Sequence, residues 1–124
     1  MQNFYRKSKF LLPKEAFEYG NIEAAKYIPY RNFKVKGLEP KTEKQSKLYE
    51  LMALSFMVTE LDLYLDTHCD DLEAIGLFNE YIKKYDDLKV DYVSKFGPIC
   101  LTMGDYMKDK FVWLHGWPWE RENN

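Results

Sequence analysis

Apolar residues recur at spacings of three and four between Glu43 and His68. Leu48, Leu51, Leu54, Val58, Leu61 and Leu65 form one continuous stripe, the signature of a long helix. Met52, Phe56 and Leu63 add a second apolar strip, so this helix is oily beyond one face. Glu50, Thr59, Glu60, Asp62 and Asp66 make its polar side. The spacing predicts a second helix from about Asp71 to Lys95. Leu72, Ile75, Phe78, Ile82, Tyr85 and Tyr92 share a face there, widened by Leu77, Tyr81, Leu88 and Phe96. Gly97 and Pro98 supply the stop, glycine after the last turn and proline beyond it.

Between the two helices lies the stretch Asp66-Thr67-His68-Cys69-Asp70-Asp71. Asp66 and Thr67 close the first helix. Asp70 is the expected N-cap of the second, with Glu73 in the reciprocal capping-box position. Negative charge at Asp70, Asp71 and Glu73 suits the positive end of a helix dipole. So short a link predicts an all-α fold built on an antiparallel two-helix hairpin.

The flanks read differently. Residues 1–42 are broken by Pro13, Gly20, Pro29, Gly37 and Pro40. Within them, "PKEAFEYG" spells one or two helical turns, with proline at the start and glycine at the stop. "NIEAAKYIPY" adds a further short turn before Pro29. With few large aliphatic residues, this segment has no core of its own and is expected to be an irregular arm docked on something else. Residues 99–124 form a tail in which Trp113, Trp117 and Trp119 crowd around glycine and proline. The expected organisation is an arm over 1–42 and a helical hairpin with an aromatic tail over 43–124.

Composition sharpens one point. The 124 residues include ten Tyr, eight Phe and three Trp, more rings than a small core needs. A fully buried large apolar side chain contributes roughly 1.5–3 kcal/mol, so several left in water would be a serious loss. A hairpin of about 50 residues is itself marginal. The arm, the tail or another chain must cover the surplus. Rings of this kind favour surfaces that become buried on binding. The candidate partner-binding residues are therefore Phe56, Tyr64, Phe78, Tyr81, Tyr85 and Tyr92 on the helices, with Trp113, Trp117 and Trp119 on the tail.

Net charge is −2, but it is unevenly spread. Residues 1–47 hold eleven Lys/Arg against five Asp/Glu, and the remainder seven against fifteen. The two parts are expected to attract each other, or each a partner. No dense basic cluster or nucleic-acid motif is present, which argues against a nucleic-acid partner. No run of about 18 apolar residues predicts a membrane span. The N-terminus shows no apolar run of signal-peptide length, so synthesis in the cytosol is expected.

The candidate chemistry is thin. His68 with Asp66, Asp70 and Glu73 could pass for a metal or acid–base cluster, and Cys69 sits at a helix N-terminus, where a thiolate is stabilised. A helical di-metal site needs Glu-x-x-His, and none occurs. Cys69 and Cys100 have no Cys-x-x-Cys companion. Glu60 and Asp62 fall on different sides of a helix and do not pair. No phosphate loop or dinucleotide fingerprint appears. These features predict a non-enzyme without cofactor. Two alternatives remain: a small metal- or redox-binding protein using His68, Cys69 and the adjacent carboxylates, and a regulatory helical module that receives a helix in a groove.

"LYLDTH" (Leu63 to His68), "FGP" (Phe96 to Pro98) and "WPWE" (Trp117 to Glu120) occur in an order and spacing that resembles the CotJB family of bacterial spore coat proteins. The likeness covers about residues 47–120, and Cys69 stands where that family usually has proline. "PKEAFEYGNIEAAKYIPY" is similar to a motif of the companion family CotJA, through Pro13, Glu15, Ala16, Gly20, Tyr27, Pro29 and Tyr30. The resemblance implies a structural protein of the inner spore coat, made in the mother cell. It implies assembly with the third companion, CotJC, which is similar to dimanganese catalases, and with other coat proteins. Any catalytic metal would then belong to that partner. A homo-oligomer is a further expectation.

Overall fold

The computed structural model describes residues 8–28, 30–34 and 36–99. Their elements are α1 (Pro13–Tyr19), a 3₁₀ turn (Ala24–Lys26), α2 (Glu43–Thr67) and α3 (Leu72–Phe96). Among the described residues there is no strand. A single antiparallel bridge joins Phe10 to Glu23. The helical class expected from the periodicity holds, and three α-helices carry it.

Each helix begins and ends where local chemistry allows. Pro13 opens α1, and the Glu15 carboxylate accepts the Leu12 N–H at 3.3 Å. Gly20 ends it in the left-handed region (φ 71°), donating its N–H to Ala16 O at 2.8 Å. Thr42 caps α2 by accepting the Gln45 N–H, and Gln45 Oε1 accepts the Lys41 N–H in return. The cap of α3 is Asp71, not Asp70. Its Oδ1 accepts the Ala74 N–H at 3.2 Å, so the helix starts one residue later than the capping-box spacing predicts. Glu73 is drawn away from a capping role by Ser8, whose hydroxyl donates to Glu73 Oε1 at 2.5 Å. Gly97 (φ 100°) stops α3 by donating to Val93 O.

Helices α2 and α3 run in opposite directions. Lys47 pairs with Asp91 (3.1 Å) and Lys95 with Glu43 (3.7 Å) at one end. Tyr64 and Asp71 meet at the other. The arm docks on the hairpin itself. Its helix α1 packs on α2, and four arm residues, Phe10, Leu11, Ala16 and Ile22, are buried in one cluster with Met57, Leu61, Ala74 and Tyr81. The arm is a third element of the core rather than an appendage on it.

This arrangement explains the excess of apolar positions on α2. The helix is central and buries two faces. One faces α3; the other, carrying Tyr49 and Phe56, meets Phe17 of α1 at ring separations of 5.9 Å. The deepest row is therefore Tyr49, Ala53, Met57 and Leu61, at steps of four. Of the predicted stripe, Leu51 and Leu61 are buried, while Leu48, Leu54, Val58 and Leu65 are half-buried. Small Ala16, Ala53 and Ala74 are almost fully enclosed and let the three elements approach closely. No charged side chain is buried among the described residues.

Candidate docking surface

Two features stand out once the core is placed: a polar clasp at the α2–α3 turn and an open apolar cleft farther along the same helices.

The clasp centres on Asp71. Its Oδ2 accepts from Lys9 Nζ at 2.6 Å and from Tyr64 Oη at 2.8 Å, while Oδ1 caps α3. Lys9 comes from the arm, Tyr64 from α2 and Asp71 from the start of α3, so one carboxylate ties all three together. The Lys9 ammonium, then the Tyr64 hydroxyl and the Ala74 N–H, hold the Asp71 carboxyl well below the usual range. Asp71 and then Tyr64 push the Lys9 ammonium up. The Tyr64 phenol is also raised, chiefly because Asp71 accepts its proton in a hydrogen bond. Phe10 stands edge-on to the Tyr64 ring at 5.2 Å, and His68 stacks on Tyr64 at 4.0 Å. His68 Nδ1 lies 3.1 Å from Tyr64 O and 2.9 Å from Thr67 Oγ1.

The turn residues named from the sequence thus divide. Thr67 donates to Tyr64 O at 3.2 Å and closes α2. His68 is a stacked turn residue, and Glu73 binds the arm through Ser8. Asp66, Cys69 and Asp70 are exposed. Among the described residues, no group of three or more His, Cys, Asp or Glu is arranged to hold a metal ion.

The cleft lies between α1, α2 and α3. Phe56 and Tyr85 form its opposite sides, with Phe17, Leu48, Met52 and Ile99 completing an open volume of about 390 Å³. A second depression of about 240 Å³, lined by Leu38, Pro40 and Tyr49, shares Leu48 and Met52 with it. The two depressions are neighbours along α2, separated by Leu48 and Met52, and the larger one is the channel between Phe56 and Tyr85. A channel of this kind is suited to taking up an apolar or aromatic side chain.

Among the other ring-bearing candidates, Phe78 is half-buried against the core cluster. Tyr81 and Tyr92 are buried inside the chain, at 6 % and 1 % exposure, and turn no ring face outward in this conformation. Tyr64 is half-buried and engaged in the clasp. Trp113, Trp117 and Trp119 lie outside the described residues. Sequence reasoning missed Leu63 and Leu72, which stand exposed on either side of the turn, and Val90 on α3. It also missed Ser8 and Lys9 as arm ligands of the turn. The opposite charges of the two chain regions were the signal for that contact.

These features define a small helical protein whose polar side chains fasten its own segments together and whose apolar channel is open to other molecules. A family model described as CotJB protein matches residues 45–120, more than half of the chain, and the chain belongs to that family of spore coat proteins. Comparison with curated proteins and with solved structures gave no match. Membership indicates a role and a location in the spore coat. No helix among the described residues is long and apolar enough to cross a membrane.

Proposed function

We propose that this chain is a structural, non-catalytic assembly protein of the inner spore coat, which docks another coat protein in the channel between Phe56 and Tyr85. The observation that carries this reading is the channel itself, open and apolar in a member of a coat family. The partner is a coat protein of the CotJC type, similar to dimanganese catalases, with further coat proteins around it. The chain is made in the mother-cell cytoplasm. Residues 1–42 act as a CotJA-like arm. Residues 43–124 act as a CotJB-like antiparallel hairpin whose tail adds Trp113, Trp117 and Trp119 as anchors. Large aromatic anchors commonly dominate binding energy at interfaces. The metal or redox alternative finds no donor grouping at His68 and Cys69 among the described residues.

The test is co-purification of the tagged chain with the CotJC-type subunit. Tyr85→Ala combined with Met52→Asp should abolish capture, while Val90→Ala should leave it intact. Retained capture by the double variant would remove the channel from the interface. Replacing Trp117 and Trp119 by Ala tests the tail separately, and unchanged capture there would withdraw the tail anchors.

A further inference from the structure

We propose that residues 8–27 form a detachable module that a second copy of this chain receives in place of its own, so that copies link by exchanging arms.

The module is held together by its own bonds. Leu11 N–H donates to Ile22 O at 2.7 Å and Ala24 N–H to Lys9 O at 3.1 Å, which folds the segment back on itself around α1. Tyr19 and Tyr27 pack at 4.6 Å across its base. It can therefore move as one body.

The surface it occupies is specific. Phe10, Leu11, Ala16 and Ile22 fill the cluster that α2 and α3 leave open. Polar pairs fix the register at both ends: Lys9 to Asp71 and Ser8 to Glu73 at the turn, Tyr49 Oη to Glu18 Oε1 (2.6 Å) at the other end. A body that lost its arm would expose a shaped apolar face, and the best-fitting cover for it is another copy's arm.

The connection makes exchange practicable. Ala24 is tied to Lys9, beside Tyr64 and Asp71, at the end of α2 remote from Thr42. The connecting segment 28–40 has to return along α2, and Thr42 to Tyr64 is about 33 Å of helix. Thirteen residues reach at most about 45 Å. The span takes up most of that reach, and no described residue of the segment is buried. Its Phe33 N–H bonds within the segment, to Tyr30 O.

A second observation says what covers it. Ile28 (86 % exposed), Tyr30 (85 %), Phe33 and Leu38 are large apolar side chains standing in water. In an arm-exchanged pair the two connecting segments run side by side between the bodies, and these side chains meet each other. Charge favours the same partner. Arg31, Lys34 and Lys36 are exposed on the segment, Asp86 and Asp87 are exposed on α3, and none of these forms an ion pair among the described residues. A basic segment and an acidic helix edge on one chain attract across copies.

Exchange needs no other coat protein, so its test stands apart from the co-purification experiment. Removing residues 29–37 leaves a connection of under about 20 Å, too short to return along α2. The shortened chain should run at two or more times the mass of one chain in light-scattering chromatography, with its helical circular dichroism retained. Adding Phe10→Asp, which spoils the arm, should return that variant to single-chain mass. A folded shortened chain that stays at single-chain mass overturns the proposal. So does an assembly that Phe10→Asp does not disperse. The second measurement uses the full-length chain. Ala25→Cys, exposed on the module, with Cys69→Ser and Cys100→Ser carries a donor dye; a second population with Cys100→Ser carries an acceptor on Cys69. Energy transfer should grow after mixing. Transfer no greater than with the acceptor moved to Ser94→Cys, exposed at the far end of α3, in the Cys69→Ser and Cys100→Ser background, overturns exchange, and this measurement decides alone if the shortened chain does not fold.

Discussion

Phe10→Ala is the sharpest probe of whether the arm belongs to the cooperative fold. Phe10 is 2 % exposed, lies in the cluster with Met57 and Leu61, and meets Tyr64 edge-on. Truncating a buried Phe costs about 3–5 kcal/mol, the lost transfer energy plus the cavity left behind. A single domain is held by roughly 5–15 kcal/mol in all, so this one change removes a large share. With a urea slope of about 1–3 kcal/mol per molar, the midpoint should fall by roughly 2 M. Phe33→Ala is the control, since Phe33 is 55 % exposed on the connecting segment and its loss should cost no more than about 0.5 kcal/mol. Met57→Ala reports the core independently at about 2–5 kcal/mol. All three are measured at one chain concentration, because association makes apparent stability depend on it. If Phe10→Ala moves the midpoint no further than Phe33→Ala, while Met57→Ala shows its full loss, the arm is a passenger and the three-element core is wrong.

Acid should weaken the clasp. The folded-state carboxyls of Asp71 and Asp91 are held below their ordinary value of 3.8, chiefly by Lys9 and Lys47, so their contribution is present above 3.8 and lost as pH falls through the folded values. Melting between about pH 5 and pH 2 should show that loss, and Asp71→Asn, which keeps a competent cap, should flatten it; an unchanged slope would exclude Asp71 as its source. At the alkaline side, burial and then the Glu18 carboxylate push the Tyr49 phenol from 10.0 up to about 12. Its contribution is complete below pH 10.0 and lost as pH rises through about 12; Tyr64 and Tyr81 are raised as well, so Tyr49→Phe should remove one tyrosine's share of the late phenolate absorbance. Ala74→Leu should lower stability by about 1–3 kcal/mol in thermal melts, because Ala74 is fully enclosed where arm and helices meet.

The sequence made the long helices plain because their signals are local. Period, cap and stop all lie within a few residues, and Glu43–Thr67 and Leu72–Phe96 follow the predicted bounds within one residue at each end. The N-cap shifted from Asp70 to Asp71 because two distant groups, Lys9 and Tyr64, compete for the choice of carboxylate. Small residues were the larger blind spot. Ala53 and Ala74 carry no weight in an apolar count, yet they are buried because neighbouring elements need to come close there. The same holds for the arm. Its large aliphatic residues are few, but Phe10, Leu11 and Ile22 are spread so that a folded-back segment turns all three toward α2 and α3. The opposite charges of the two regions and the helices' surplus apolar surface foretold that contact, but they do not specify which lysine meets which aspartate. Of the candidate rings, Phe56 and Tyr85 line a cleft, whereas Tyr81 and Tyr92 serve the core. Ring identity alone cannot separate these uses, because both bury the same kind of surface.

The placement of polar and apolar resources along the helix pair has a consequence for assembly. At the turn, arm, α2 and α3 are fastened by charge-assisted bonds to one carboxylate, and little apolar channel remains there. Toward the opposite end the fastening is by the half-buried pair Lys47–Asp91 and the exposed pair Lys95–Glu43, each a single ion pair without the cap and tyrosine bonds of the clasp, and the exposed one is worth little in water. That is also the half in which Leu48, Met52 and Tyr85 leave the channel open. A molecule entering the channel therefore works against the weaker clamp and gains apolar contact there. Ile99, the last described residue, lines the same channel, so the chain passes from it into the segment bearing Trp113, Trp117 and Trp119. Under the proposed docking, tail anchors that reach the same partner would strengthen binding, because the second contact is intramolecular once the first has formed.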